Sequence, residues 1–232
     1  MQALKSAPIV LLMALNMFAG AARAEYQDES YAASLDQAEL ISKKVANDLQ
    51  PLLAKRIQVV RVERSENTPM ATVVTKSGIC VLILNTTPSA WAQWHHFMGR
   101  GKLSAEDTFE FAAAHEIAHC INKPGTLAQA VRNSAPGMEI SGLNLPAGKQ
   151  SETFADLFSL AYMRQQRDSD TMKRILHSVI HVRKGFGGFF FNTHATSKAI
   201  EKASEALLAF TIQPETKVNL VTFSLNLYQK AG

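Results

Sequence analysis

The spacing of hydrophobic residues predicts one helix, then a few strands, then a series of helices. Apolar residues recur at helical spacing from Ser34 to Ile57, where Pro51 bends or ends the helix. From Ile57 to Val62, and again from Ala71 to Leu84 around Gly78, the chain is rich in Val, Ile and Thr, which favour strands. We therefore expect two or three strands of a small sheet in this part of the chain.

Helical spacing returns after Ser104 and continues almost to the C-terminus. The predicted helices are Ser104–Ile121, Ser151–Arg167, Thr171–Val182, Thr196–Phe210 and Lys217–Gln229. The first two are separated by an irregular stretch, Lys123–Lys149, with several turns that contain Pro and Gly. A loop of that length is usually functional or mobile, and this one could cover a cleft. Strands followed by helices predict an α+β fold, in which a small N-terminal sheet packs on a mainly helical C-terminal part.

Length and charge limit the class of protein. With 232 residues, of which 47% are hydrophobic and 19% charged, the chain suits a single folded domain. The formal net charge is +4, and the first 24 residues contribute Lys5 and Arg23 without any acidic residue. Without that segment, 22 basic and 20 acidic side chains remain, in no block of one sign, so we expect no nucleic-acid partner.

The first 24 residues have the three parts of a secretory signal. Lys5 supplies the positive charge, Ala7–Gly20 is apolar, and Ala22–Ala24 forms a small-x-small cleavage site. The apolar part is shorter than the ~20 residues that a membrane-spanning helix needs. We expect residues 1–24 to be removed and residues 25–232 to form one secreted or periplasmic domain with no transmembrane segment. The alternatives are a retained anchor and a buried first helix.

The central motif is a His-Glu-Ile-Ala-His run that begins at His115. Residues four apart share one face of a helix, so His115 and His119 point to one place, as two ligands of tetrahedral zinc do. Glu116 lies one step round the helix, where it could act on a metal-bound water instead of binding the metal. The run from Phe111 to Ile121 is otherwise apolar apart from Cys120, and buried imidazoles are costly unless they are paired or metal-bound. The alternative is a pair of hydrogen-bonded core histidines.

A third zinc ligand is predicted on the next helix. Zinc in catalytic sites takes three protein ligands and keeps a fourth position for water. Glu152 and Asp156 follow a capping Ser151 and share a face, where two like charges repel unless a cation relieves them. We expect Glu152 to bind zinc and Asp156 to accept the second N–H of a ligand histidine, preferably that of His115. The alternative is a solvated acidic face.

Together these motifs resemble those of the gluzincin zinc metallopeptidases. His-Glu-Ile-Ala-His followed by Glu-x-x-x-Asp has the gluzincin order, and the second segment, SETFADLF, is closer to the minimal gluzincins related to CAAX proteases. The resemblance covers Phe109–Ile200. It implies a zincin-like fold, a Zn²⁺ cofactor, Glu152 as the third ligand and Asp156 behind a ligand histidine.

Other polar residues have weaker claims to a role. The resemblance implies that His194 lies at the active-site rim, where it could stabilise an oxyanion, although an alanine follows it where the family usually has proline. A helix-start or surface position is the alternative for His194. Cys80 and Cys120 could form one disulfide in an oxidising compartment or remain two small buried residues. His177 and His181 lack a nearby acidic partner and are interpreted as a helix face.

The chemistry predicted from these residues is hydrolysis of a peptide bond outside the cytoplasm. Zinc would be held by the two motif histidines and Glu152, while Glu116 would take a proton from the bound water and pass it to the leaving amine. The expected partner is a protein or peptide substrate, which could pair in extended form with the strand at Gly78–Leu84. Two alternatives stay open: a non-catalytic zinc-containing binding or chaperone-like module, and a helical domain without metal.

Overall fold

The strands precede most of the helices, as the sequence predicts. The computed structural model describes residues 34–66, 68–91, 103–134, 149–185, 196–210 and 220–231. Its longer helices are α1 (34–49), α2 (Ala105–Ile121), α3 (Pro124–Ser134), α4 (Lys149–Arg164), α5 (Ser169–Gly185), α6 (Ser197–Ala209) and α7 (Leu220–Ala231), and its strands are β1 (Ile57–Val62), β2 (Met70–Val74) and β3 (Cys80–Asn85). Residues 88–91 are also helical. The α+β class is therefore confirmed, whereas the zincin-like character stays a prediction. The predicted signal, residues 1–24, lies outside the described residues.

The first helix is shorter than its hydrophobic spacing suggested. Helix α1 ends at residue 49 and continues as a 3-10 turn, Gln50–Leu52, that contains Pro51. Leu53 is already extended. Proline lacks the N–H that the next turn of an α-helix would need, so the chain leaves the helix here and enters β1.

Part of the predicted irregular stretch, Lys123–Lys149, is in fact helical. Helix α3 begins at Pro124, only three residues after α2 ends. The first turn of a helix does not use its N–H groups, so a proline that stops one helix can begin the next. Leu127, Ala130 and Val131 follow at helical spacing and are buried. The prediction was wrong for this part because the Pro-Gly pair was interpreted as a loop; residues 135–148 lie outside the described residues.

The sheet places β3 between the other two strands. The strand order is β1-β3-β2, with β1 parallel and β2 antiparallel to β3. Gly78, in the turn between β2 and β3, has a φ of 83°, which favours glycine. Because β3 is paired on both sides, the strand at Gly78–Leu84 offers no edge to a substrate, contrary to the prediction. Within the described sheet, β1 and β2 are the edge strands, and β2 contacts α2.

Helix α2 lies between the sheet and α4. It contacts β2 and β3 on one side and α4 on the other, and α4 in turn contacts α5, α6 and α7. Alanines at 112–114 and at 118 are buried, and small side chains at a helix contact allow the axes to approach closely. A disulfide joins Cys80 of β3 to Cys120 of α2, with a Cα–Cα distance of 5.9 Å. The disulfide and the packing fix α2 against the sheet at the residue that follows His119.

Buried charge surrounds the N-terminal half of α2. Ser104 caps the helix by accepting a hydrogen bond from the Asp107 N–H at 3.0 Å. Glu110 is buried and pairs with Arg167, which follows α4. Burial raises the pKa of Glu110, although the nearby cations Arg167 and Lys44 oppose the rise. Within the described residues, no helix has the length and apolarity needed to span a membrane.

Candidate metal centre

Three predicted ligands meet at one point between α2 and α4. His115 and His119 lie one turn apart on α2, and their Nε2 atoms are 3.1 Å apart. Glu152 approaches from α4, with Oε2 3.2 Å from the His115 Nε2 and Oε1 3.4 Å from the His119 Nε2. One donor atom from each of the three residues can be chosen so that all lie within 4.8 Å of one another.

The spacing of these donor atoms suits zinc. Ligand atoms at ~2.0–2.1 Å from a tetrahedral zinc lie about 3.3 Å from one another. The two Nε2 atoms, 3.1 Å apart, are close to that value, and each has a different oxygen of the Glu152 carboxylate at 3.2 or 3.4 Å. Two imidazole nitrogens and one carboxylate leave the fourth tetrahedral position for water or substrate, as in catalytic zinc sites. The residues therefore fit the ion in both chemistry and spacing.

The other ring nitrogens of both histidines are held by neighbouring side chains. The His115 Nδ1 lies 2.8 Å from Asp156 Oδ1, and the His119 Nδ1 lies 3.1 Å from the hydroxyl of Ser151. Ser151 Oγ also accepts a hydrogen bond from Asn122 Nδ2 at 2.8 Å. With Nδ1–H donating on each ring, the Nε2 atoms of both rings point into the site, where they can bind a proton or a metal ion. Ser151 was predicted to cap this helix, but α4 begins at Lys149, so Ser151 lies inside the helix and instead orients the ring of His119.

Asp156 is the most enclosed group of the site. Its exposed fraction is 0%, and its carboxylate accepts hydrogen bonds from His115, from Arg183 Nη2 of α5 at 2.5 Å and from the Thr196 hydroxyl before α6. Burial alone would raise the pKa of Asp156, but the positive charge of Arg183 and the bond from His115 hold it below its usual range. Asp156 is therefore an anion that can only accept, which fixes the Nδ1–H tautomer of His115.

The imidazole of His115 lies between two carboxylates. Burial of the ring opposes protonation, but hydrogen bonds to Asp156 and Glu152 outweigh it and raise the pKa of His115 to about 9. The two carboxylates lie on opposite sides of the imidazole, at Nδ1 and Nε2. This surplus of negative charge in a buried site favours a cation at the Nε2 side.

Glu116 lies beside the cluster without joining it. It is half-buried on α2 and faces β2, where the Thr72 hydroxyl lies 2.9 Å from its backbone oxygen and 3.2 Å from its Oε2. The three-residue cluster that can hold an ion does not include Glu116. Its role as a base stays a prediction.

The remaining candidates lie elsewhere. His194 falls outside the described residues. His177 and His181 are exposed on α5, as expected of a helix face, and belong to no candidate cluster within the described residues.

Sequence reasoning missed four residues around the site: Thr72, Asn122, Arg183 and Thr196. Of these four residues, only Arg183 could have been recognised from the sequence pattern. It follows Val179 by four residues and therefore falls on the apolar face of α5, where an arginine is rarely buried without a partner. Thr72, Asn122 and Thr196 are small polar residues whose positions in the sequence do not distinguish them from surface residues.

Comparisons of the chain with protein-family models, with curated proteins and with solved structures give no match. The chemistry of the site is therefore inferred from its own donor atoms and their surroundings.

Proposed function

We propose that this chain is a zinc-dependent metallopeptidase of the gluzincin type, with zinc held by His115, His119 and Glu152. One observation carries the proposal: two imidazole nitrogens 3.1 Å apart face one carboxylate from a second helix, and one donor atom from each of the three residues lies within 4.8 Å of the others. Glu116, which follows His115 on the same helix and does not belong to the cluster, supports catalysis over simple metal storage. A structural zinc site uses four protein ligands and has no need of an adjacent free carboxylate.

The reaction proposed is hydrolysis of a peptide bond. When bound, zinc supplies polarisation of the scissile carbonyl and makes a water more acidic. Glu116 accepts a proton from that water while the water oxygen bonds to the carbonyl carbon, and it then gives the proton to the amine nitrogen as the C–N bond breaks. Asp156 and Ser151 keep both imidazoles in the tautomer that presents Nε2.

The substrate proposed is an extended segment of a protein or peptide. Strand β2 is at the edge of the described sheet and contacts α2, so a chain added beside it would lie near Glu116. Pairing through backbone hydrogen bonds would hold the substrate with little demand on its sequence. This assigns to β2 the role that the sequence suggested for β3.

The proposed location is secreted or periplasmic. The predicted signal in residues 1–24 supports it, and so does the Cys80–Cys120 disulfide, because structural disulfides are rare in reducing compartments.

Metal content tests the ligand set. We would measure zinc by mass spectrometry in protein purified after expression of the full chain, for the wild type, His115→Ala, Glu152→Ala and the control His177→Ala on the exposed face of α5. We expect about one zinc per chain in the wild type and the control, and loss of zinc in the other two. Retention of zinc by Glu152→Ala together with its loss from His115→Ala would show that the third ligand is misassigned.

Cleavage of fluorescein-labelled casein then tests the chemistry. Glu116→Gln should keep its zinc and lose about 10²–10⁴-fold in rate, because the general base is removed. A Glu116→Gln protein that cleaves as fast as the wild type refutes the mechanism. A wild type that binds zinc but cleaves neither casein nor a peptide library would instead be the non-catalytic binding or chaperone-like module.

A further inference from the structure

Strand β2 has one polar residue on the face that packs against α2. Met70 and Val74 on this face pack against the hydrophobic core, and Thr72 lies between them. Val73, which points to the other face, is 47% exposed. A position between two core-packed residues of a strand normally suits Val or Ile, which have nearly the same shape as Thr. The hydroxyl of Thr72 is therefore the exception on this face.

That hydroxyl contacts Glu116 twice. Thr72 Oγ1 is 2.9 Å from the Glu116 carbonyl oxygen and 3.2 Å from its Oε2. One hydroxyl proton is thus shared between the backbone and the side chain of the same residue. Among the described residues, Thr72 is the side chain that hydrogen-bonds to the Glu116 carboxylate.

The strand that carries this hydroxyl is itself held in place. Thr72 is opposite Leu82 of the central strand, and Leu82 is fully buried. Two residues earlier on that strand, Cys80 is bonded to Cys120 of α2, one turn beyond Glu116. The strand pairing, the disulfide and the Thr72 contact therefore form a closed connection between β2 and α2, so the hydroxyl has little freedom to move relative to the helix.

We propose that Thr72 is the positioning residue for the catalytic carboxylate of Glu116, an inference that rests on the proposed peptidase function. A glutamate side chain has three rotatable bonds, and only some of its rotamers would place an oxygen where a water can give up a proton. The bond to Oε2 selects among these rotamers and leaves Oε1 as the proton acceptor. Because β2 is also the edge proposed for the substrate, the same strand would align the base and the scissile bond.

The test compares Thr72→Val, Thr72→Ser and the matched control Thr108→Val. Thr108 is buried on α2, and its hydroxyl has no hydrogen-bond partner in the described part of the chain, so its removal should change nothing in the assay. Casein cleavage by Thr72→Val should fall about ten- to a hundredfold in kcat, with KM and zinc content unchanged, because a misplaced base slows chemistry without affecting binding. Thr72→Ser, which keeps the hydroxyl, should stay close to the wild type.

Three results would overturn the proposal: wild-type kcat in Thr72→Val, equal loss in Thr72→Ser, or a loss of kcat that follows a loss of zinc. A wild type without cleavage would refute the peptidase function instead, and a second measurement would then decide the role of Thr72. In a double-mutant cycle with Glu116→Ala, measured by urea unfolding, the side-chain contact should change the unfolding equilibrium constant by about two- to tenfold. Additive effects of the two substitutions would show that Thr72 does not hold the carboxylate.

Discussion

Replacing Asp156 with Asn tests how the site is held together. The carboxylate lies where α4 meets α2, α5 and the residue before α6, and it accepts hydrogen bonds from His115, Arg183 and Thr196. Asparagine has nearly the same shape, but it has one acceptor oxygen and an NH₂ group in place of the second. The NH₂ group would take the place of Oδ2, and the Thr196 hydroxyl beside it can accept instead of donate, so the substitution mainly removes the negative charge from a site with no exposed area.

The expected loss has two parts. The substitution removes the negative charge that lies 2.5 Å from the guanidinium of Arg183, and breaking a buried ion pair of this kind costs about 3–5 kcal/mol. That is a large share of the ~5–15 kcal/mol by which domains are stable. Asparagine also no longer fixes which nitrogen of His115 carries the proton. Loss of such a partner of a metal ligand typically lowers metal affinity about 10–100-fold.

Two measurements separate these parts. Urea unfolding in the presence of a chelator gives the stability without metal, and competition with a chromophoric chelator gives the zinc affinity. Asp170→Asn is the control, because that carboxylate is 89% exposed and pairs with Lys173 at 2.9 Å on the surface of α5. We expect the control to lie within about 0.5 kcal/mol of the wild type and to bind zinc equally well.

The reasoning fails if Asp156→Asn unfolds like the control. It fails in a different way if stability falls and zinc affinity does not, because Asp156 would then serve the packing of α4 and α5 without orienting His115. Only a joint loss supports an organising role for Asp156 in the site.

Three further outcomes follow from the same structure. Replacing Cys80 and Cys120 with Ala should lower the free energy of unfolding by about 3–4 kcal/mol, because the disulfide closes a loop of 40 residues. A reductant should then have no effect on urea unfolding, and a urea midpoint equal to that of the wild type would contradict the prediction. Zinc at about 100 times its Kd should raise the free energy of unfolding of the chelator-treated wild type by about 2.7 kcal/mol and leave that of His119→Ala unchanged. An equal increase in both proteins would show that the ion binds elsewhere. Because the pKa of Glu110 is raised, the folded state binds the Glu110 proton more tightly than the unfolded state does. The stability that this protonation contributes is present below pH 4.5, and it is lost as the pH rises through the pKa of the folded state. In urea unfolding between about pH 4 and about pH 7, the wild type should therefore lose stability relative to Glu110→Gln, and a constant difference would refute the assignment.

Geometry within a single helix could be predicted from the sequence. The four-residue spacing of His115 and His119, and that of Glu152 and Asp156, fixes which side chains share a face, because the helical repeat is set by backbone chemistry alone. Apolar residues around the first pair predicted a buried helix, and α2 is buried along most of its length. The bounds of α2 agree with the prediction within one residue because Ser104 is a good cap.

Errors arose where one residue type serves two structures. Proline is common both just after the end of a helix and in the first turn of a helix. The Pro-Gly pair at 124–125 therefore suggested only an end, although a second helix begins there. The strand at Gly78–Leu84 was recognised as a strand, but its central place in the sheet depends on parallel pairing with β1, which is far from it in sequence. Hydrophobic spacing shows that a strand has a buried face and does not show which strands lie beside it.

Local spacing was enough to predict the α+β class, the residue types of the candidate metal site and the faces of the helices on which they lie. Packing between distant elements brings the three candidate ligands of α2 and α4 within 4.8 Å of one another and adds Arg183, Thr196 and Thr72 around them. Those three residues come from α5, from the start of α6 and from β2, and their side chains reach the site only through packing between distant parts of the chain. Contacts of that kind depend on how whole faces fit together, and no short stretch of sequence encodes that fit.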